Sequence, residues 1–261
     1  MKKIFLVLTF SLAISSLWAQ TETERKTKRE VRKERIDAMA KLEEEGVITL
    51  RKHTVFGGKL TSDGYGGFIE IGRARSVKKA MLFQLEISER KHIREDKISL
   101  AFGGTRPFIF GKINYFYPVK LGVQMQYLLG NKGNKNGVSI TGNIGGGVTL
   151  GLLRPYLLDD DKDGERTWIG YDSPDSAYYL NGPTYGGPGF GTGWDKLTVT
   201  PGLYLKPAVR FDYGRYNEMV SAIEVGVTGE FYSKEVPQMI YQKQRQFFFS
   251  AFVAVIFGRR K

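Results

Sequence analysis

Two long stretches in the middle of the chain alternate apolar and polar residues. In the first, Val119, Leu121, Val123, Met125 and Tyr127 alternate with Lys120, Gly122, Gln124 and Gln126. In the second, Val138, Ile140, Ile144, Val148 and Leu150 alternate with Ser139, Thr141, Asn143 and Thr149. A repeat of two residues places alternate side chains on opposite faces of a β-strand. The pattern therefore predicts long strands with one apolar face and one polar face.

Extending this alternation along the chain predicts eight strands separated by turn residues. The strands are 53–61, 65–73, 78–90, 113–129, 138–155, 197–211, 219–232 and 246–258. An even number of strands returns the chain to its starting side, as in bacterial single-chain barrels with short periplasmic turns and longer outward loops. We therefore predict an all-β fold, an eight-stranded antiparallel transmembrane β-barrel over residues 53–261. Both of its termini would be periplasmic.

The polar faces of these strands carry charged residues. They are Glu70, Glu86, Lys120, Lys206, Arg210, Glu224 and Glu230. Eight strands enclose only enough space for side chains, and an unpaired charge there is costly, so we expect these charges to pair and the barrel to be closed and non-conducting. A tight turn at 212–218 would place Lys206 opposite Glu224. Pro201 and Pro207 predict a bulge or a locally broken ladder in their strand.

The first 52 residues are predicted to lie outside the barrel. Lys2 and Lys3, the apolar run 4–17 and the small residue Ala19 are typical of an export signal over residues 1–19. Residues 20–52 form a charged periplasmic arm rich in helix formers, with a narrow apolar stripe. This short helical arm is either a solvated tether or a segment that docks a partner.

Composition does not distinguish a membrane-spanning barrel from a soluble β domain, because both are compatible with it. The chain contains no cysteine, which excludes disulfides and a lipid-modified cysteine. Its formal net charge of +12 suits anionic lipid or an acidic partner. Nucleic acid is not an expected partner of an exported chain.

One acidic segment has the spacing of a calcium loop. Asp159, Asp161 and Asp163 precede Gly164 with the alternate spacing that brings oxygens onto a hard cation. The twelfth position of such a loop is Gly170 instead of the usual bidentate glutamate. A calcium site and a solvated acidic loop both stay open, and no other cofactor is expected.

The first long outward loop begins near His92. Outer-membrane acyl transferases and lipid A deacylases use a histidine with serine or a carboxylate, and Ser88, Glu89 and Glu95 lie nearby in sequence. A lipid A-modifying enzyme is therefore an alternative, although we expect no catalytic residue. The basic residues around His92 could instead bind lipopolysaccharide phosphates. They are Arg90, Lys91, Arg94 and Lys97.

The long outward loop 156–196 is rich in aromatic residues. They are Tyr171, Tyr178, Tyr179, Tyr185, Phe190 and Trp194. Aromatic loops provide contact surface at low entropic cost, but they also pack on themselves as lids. The sequence leaves two alternatives for this loop. It is either a lid over the barrel mouth or the contact surface of a surface binding protein or adhesin.

The last strand and three internal segments carry a resemblance to a known family. Residues 247–257 resemble the aromatic carboxy-terminal strand of outer-membrane barrels, although 258–261 follow it. Residues 110–122, 151–156 and 204–206 look like small outer-membrane barrels from Bacteroidota. The resemblance covers residues 53–261 and implies an outer-membrane barrel without transferable catalytic residues. Some barrels of that group are accessory subunits of secretion or barrel-assembly machines, so we expect such a scaffold, with protein partners and with outer-membrane lipid and lipopolysaccharide as surroundings.

Overall fold

The computed structural model describes most of the chain from residue 52 onward. The described residues are 52–76, 78–99, 106–132, 137–162, 165–171, 179–180, 184–214 and 219–260. The predicted signal peptide and the charged helical arm, apart from Lys52, lie outside them.

Thirteen strands and one short 3-10 turn make up the described structure. The strands are β1 (Lys52–Thr61), β2 (Gly64–Ser76), β3 (Lys79–Arg90), β4 (Lys97–Ile98), β5 (Phe108–Ile109), β6 (Asn114–Gly130), β7 (Ser139–Pro155), β8 (Leu157–Lys162), β9 (Glu165–Gly170), β10 (Thr184–Gly186), β11 (Thr198–Asp212), β12 (Met219–Val236) and β13 (Arg245–Arg260). The turn is Trp194–Lys196.

Eight of these strands close into a barrel in the order β1-β13-β12-β11-β7-β6-β3-β2. Neighbours are antiparallel throughout, and the first and last strands pair from His53 opposite Arg260 to Thr61 opposite Phe252. Closure matters because it removes the exposed edges that an open sheet would present. The prediction of an eight-stranded antiparallel barrel is confirmed.

The barrel is apolar outside and polar inside. Leu60, Leu203 and Phe249 are more than half exposed on the outer face, whereas Glu70, Lys206 and Glu224 are fully buried inside. The apolar rows predicted for β6 and β7 face outward, and the apolar rows of β3 and β12 do the same. A soluble protein has the opposite arrangement, so this is the architecture of a barrel that spans a membrane.

One predicted strand register is wrong. Arg210, not Lys206, lies directly opposite Glu224, because the β11–β12 ladder begins at Asp212 opposite Ala222 and its turn is displaced along β12. Lys206 still reaches Glu224, with Nζ and Oε1 2.8 Å apart. The long side chains thus form the expected ion pair across a diagonal.

The prolines of β11 interrupt pairing on one side only. The register between β11 and β7 runs without a shift through Pro201 and Pro207. Towards β12 the same register holds on both sides of Lys206 and Pro207, but these two residues have no partners there. The expected broken ladder is present on that side, because proline has no N–H to donate to the neighbouring strand. Neither register of β11 shows a bulge.

The long loops lie at the end of the barrel opposite the start of β1 and the end of β13, an end that we call the loop end. They are not plain loops, since β4 pairs with β5, and β10, β8 and β9 form a small sheet within residues 156–196. In the described part of the chain, no helix has the length and apolar character needed to cross a membrane.

Candidate functional site

Ten charged side chains meet inside the barrel, and we call them the interior network. They are Lys59, Arg90, Lys120, Lys206 and Arg210 with Asp63, Glu70, Glu86, Glu224 and Glu230. All seven residues chosen from the sequence pattern belong to it. The five basic and five acidic groups of this network balance in formal charge, as expected where an unpaired ion would be costly. Asp212 pairs separately with Lys132 and Arg260 at the end opposite the loop end.

Arg210 is the centre of the half of the network nearer the termini. Its guanidinium donates to both oxygens of Glu70 at 2.8 Å and to Glu224 at 2.6 Å. This two-pronged geometry suits guanidinium and carboxylate. Glu224 also accepts from Asn143 Nδ2 at 2.9 Å and pairs with Lys206, so it keeps other donors without Arg210.

Glu86 and Glu230 organise the other half. Glu86 pairs with Lys59 and Lys120, each at 2.9 Å. Lys120 also contacts Glu230 at 2.7 Å, and Glu230 pairs with Arg90 at 2.9 Å. A chain of alternating charges therefore runs along the inside of the barrel.

Apolar side chains fill the rest of the interior. One cluster comprises Val55, Phe68, Ala208, Val220, Ala222, Phe252, Ala254 and Ile256. A second comprises Phe116, Leu153, Tyr232 and Val236 near the loop end. Lys59 and Lys206 lie over the Phe252 ring at 4.1 and 5.0 Å, so the network and the first cluster pack directly together.

Sequence reasoning missed three members of the interior network, Lys59, Arg90 and Asp63, and it also missed His53. Lys59 follows two glycines, which blur the alternation, and Arg90 ends its strand, where we had counted it among loop cations that bind phosphate. The structure places Arg90 at the end of β3 and inside the barrel instead of in the loop, buried and paired with Glu230. His53 folds inward towards Glu70 at 3.4 Å, into space that a Cβ on Gly72 would occupy.

The loops pack together above the barrel mouth in a cluster that we call the outer cap. It comprises Phe108, Ile109, Ile113, Tyr156, Leu158, Ile169, Tyr179, Met239 and Ile240. Ile109 N donates to the Tyr156 hydroxyl at 2.8 Å, and Ile240 N donates to the Gly111 carbonyl at 2.7 Å. Gly111 has a φ of 72°, which favours glycine. Three loops are thus tied into one structure.

Some aromatic residues of the loop 156–196 pack as a lid, and others are exposed as in a contact surface. Tyr179 is buried in the outer cap, where its hydroxyl donates to the Lys112 carbonyl, and burial raises its pKa. Tyr171 packs against the outer cap, and Tyr178 lies outside the described residues. By contrast Tyr185, Phe190 and Trp194 are exposed. The loop is therefore partly a lid and partly an exposed aromatic surface.

Arg154 holds part of this surface against the outside of the barrel. Although it projects from the outer face of β7, it is only 2% exposed. Its guanidinium lies 4.2 Å from the Tyr115 ring centroid and 5.0 Å from that of Trp194, and it also donates to the Phe190 carbonyl. The rings shield a cation that would otherwise face lipid, an arrangement stabilised by cation–π attraction.

The His92 ring lacks the contacts of a catalytic base with a paired nucleophile. Its Nδ1 accepts from the Arg94 backbone N–H at 3.3 Å, and Glu95 accepts from the His92 backbone, not from its ring. Ser88 Oγ donates instead to the Pro118 carbonyl at 3.5 Å. Partial burial lowers the pKa of His92, and Glu95 opposes this effect.

The acidic segment 159–164 lies in the β8–β9 hairpin. Asp159 and Asp161 belong to β8, whereas Asp163 and the side chain of Asp161 lie outside what the structure describes. Among the described side chains, no group of three or more His, Cys, Asp or Glu is arranged to hold a metal. Calcium binding therefore stays a prediction.

Comparisons with known proteins give fold likenesses only. No protein-family model and no curated protein matches the chain. The chain is similar to the N-terminal β-barrel domain of Pseudomonas aeruginosa OprF, with 10% identity, a TM-score of 0.36, and coverage of 80% of this chain and 98% of that one. It is also similar to Neisserial surface protein A, with 9% identity, a TM-score of 0.36, and coverage of 80% and 96%. The barrel topology itself is established by the strand pairing described above.

Proposed function

We propose that this protein is an outer-membrane barrel with both termini in the periplasm. The apolar outer face and the predicted export signal support this location. The orientation is supported by the position of the long loops, which all lie opposite the termini, since outer-membrane barrels have short periplasmic turns and longer outer loops.

Within that membrane, the barrel is a non-conducting accessory or scaffold subunit of a protein complex, of the secretion or barrel-assembly kind. The observation that carries this proposal is the balanced interior network together with its apolar packing. A filled barrel offers no route for solutes, so its function resides in the outer face, the loops and the arm 20–52. The resemblance to accessory barrels supports the choice of a scaffold.

A surface binding protein is the second candidate. Phe190 is 79% exposed and lies beside Trp194, with ring centroids 5.6 Å apart. Exposed paired aromatics in a surface loop are typical of contact surfaces. The lipid A-modifying enzyme has less support, because the His92 ring has no hydrogen bond to Ser88, Glu89 or Glu95 in the described structure.

The purified barrel should show no steady conductance in a planar lipid bilayer. Ions would have to displace paired charges such as Lys120 and Glu230, which are buried and 2.7 Å apart. Single-channel recording tests this expectation, with an open porin inserted in the same membrane as the positive control. A large and persistent conductance from the protein would contradict a filled interior.

Purification from native membranes should recover other proteins in fixed ratio to the barrel. Quantitative mass spectrometry of the tagged chain measures that ratio. A variant lacking residues 20–39 tests the arm as the docking segment, and Phe190→Ser tests the exposed aromatic surface. Loss of partners only in the first variant supports periplasmic docking.

Two results would contradict the scaffold. One is a barrel that purifies alone from gently solubilised membranes. The other is a lipid A structure that changes when His92 is replaced by alanine, which would favour the enzyme.

A further inference from the structure

A cleft of about 760 Å³ opens at the loop end of the barrel. Its walls come from residues 62–64 after β1, from 90–94 at the end of β3, and from 238–249, which lead into and begin β13. The cleft lies outside the interior network and shares only Asp63 and Arg90 with it.

Positive charge converges on this cleft from two loops. Lys91 and Arg94 line one wall, Lys243 and Arg245 line the other, and all four are exposed. Within the described residues none of the four forms an ion pair. Two carboxylates of this region are engaged elsewhere, Glu95 with Lys112 and Asp63 with Arg90. Arg94 and Arg245 line the same cleft, one from each wall, so the two walls bring their charges to one site.

The buried part of the cleft lining contains two hydrogen-bond donors without acceptors. Arg90 Nη1 and Gln238 Nε2 have no partner in the described structure, although their residues are only 5% and 6% exposed. A buried donor without an acceptor is costly, so an acceptor supplied by a ligand would be favourable. One acceptor in the same lining, Asp63 Oδ1, also has no partner, but the two donors and the four cations outnumber it, which fits a ligand with oxygen acceptors and negative charge.

The side of the cleft towards the membrane is apolar. Phe247 and Phe249 line it and project from the outer face of β13, where they are 57% and 64% exposed. A basic pocket beside an exposed aromatic strand suits a molecule with an anionic head and a hydrocarbon tail.

We propose that this cleft binds the phosphate headgroup of a membrane lipid. The phosphate lies between Arg94 and Arg245, within reach of the donors on Arg90 and Gln238, and the acyl chains follow Phe247 and Phe249 down the outside of the barrel. The site assumes the membrane location proposed above but does not depend on a scaffold role.

Native mass spectrometry of the full chain in a neutral detergent tests the site. The probes are phosphatidic acid and diacylglycerol, which differ only in the phosphate, and inorganic phosphate without lipid. We expect retention of phosphatidic acid and not of diacylglycerol. The double variant Lys243→Gln/Arg245→Gln should weaken this binding about tenfold or more, because it removes the Arg245 contact with the phosphate and the charge of Lys243 on the same wall.

Matched variants separate a specific site from general charge. Lys97→Gln/Lys196→Gln removes the same charge from exposed positions that do not line the cleft, and it should leave binding within about twofold. Gln238→Leu should weaken binding without lowering the unfolding temperature, because it removes a donor that has no partner in the protein.

Equal retention of phosphatidic acid and diacylglycerol would overturn the proposal. Equal losses of phosphatidic acid binding in the two double variants would also overturn it. So would binding of inorganic phosphate as strong as that of phosphatidic acid. The lipid assay uses the isolated chain, so a negative result would count against the lipid site and not against the scaffold. A negative co-purification result would likewise count against the scaffold and not against the lipid site.

Discussion

Replacing Arg210 with methionine should destabilise the folded barrel by about 3–5 kcal/mol, the cost of leaving a buried charge without its partner. The residue most affected is Glu70, since only His53 at 3.4 Å remains to pair with it, whereas Glu224 keeps Lys206 and Asn143. Urea unfolding in lipid vesicles, followed by the gel mobility of folded and unfolded chains, measures the free energy of unfolding.

Two further variants identify the source of that loss. Arg210→Met/Glu70→Gln should recover part of the stability, because the orphaned carboxylate is gone. Arg75→Met, at an exposed position of β2, should change stability by no more than about 0.5 kcal/mol. If Arg210→Met/Glu70→Gln were no more stable than Arg210→Met, the unpaired Glu70 carboxylate would not be the source of the destabilisation.

An arginine in place of Leu121 should destabilise the barrel in a bilayer by about 2–4 kcal/mol. Leu121 is 58% exposed near the middle of β6, where the outer face would meet the hydrocarbon centre of the membrane. An arginine there must lose its hydration or distort the lipid. The same unfolding assay in vesicles measures the effect.

Leu129→Arg is the matched control on the same strand and face. Leu129 is 67% exposed but lies at the end of β6, near the expected membrane surface, so the cost should fall to about 0–1 kcal/mol. Equal costs at Leu121 and Leu129, or a Leu121 variant that folds unchanged in water without detergent, would contradict the membrane-spanning assignment.

The faces of the strands could be predicted because the period of a β-strand is a local property. Side chains such as Leu121 and Lys120 must point to opposite sides whatever the strand pairs with. Glycine has no side chain to mark a face, so the alternation cannot be followed through the two glycines before Lys59. Lys59 was missed for that reason. Strand ends are equally weak, since nothing in the pattern says whether Arg90 turns inward or continues into the loop.

The partners of the charges could not be predicted from the pattern. The sequence places Lys206, Arg210 and Glu224 on one face of their strands, but opposite neighbours depend on where the turn begins. The structure shifts that turn along β12 and aligns Arg210 with Glu224. Bringing Glu70 to the same guanidinium requires the whole sheet to close, because β2 and β11 are not neighbours in the barrel.

The basic cleft likewise needed the tertiary structure. Arg94 was recognised as a loop cation, but Arg245 stands at the start of a strand about 150 residues away along the chain, and nothing local connects the two. Only barrel closure and loop packing bring both to one cleft beside Gln238.

The sequence by itself determined a barrel with an apolar exterior and a charged interior, because alternation acts within each strand and requires no distant partner. Only the tertiary structure decided which charges pair, which aromatic residues are buried in the outer cap, and where free cations gather. Those outcomes depend on register, closure and loop packing, which join residues that are far apart in the chain.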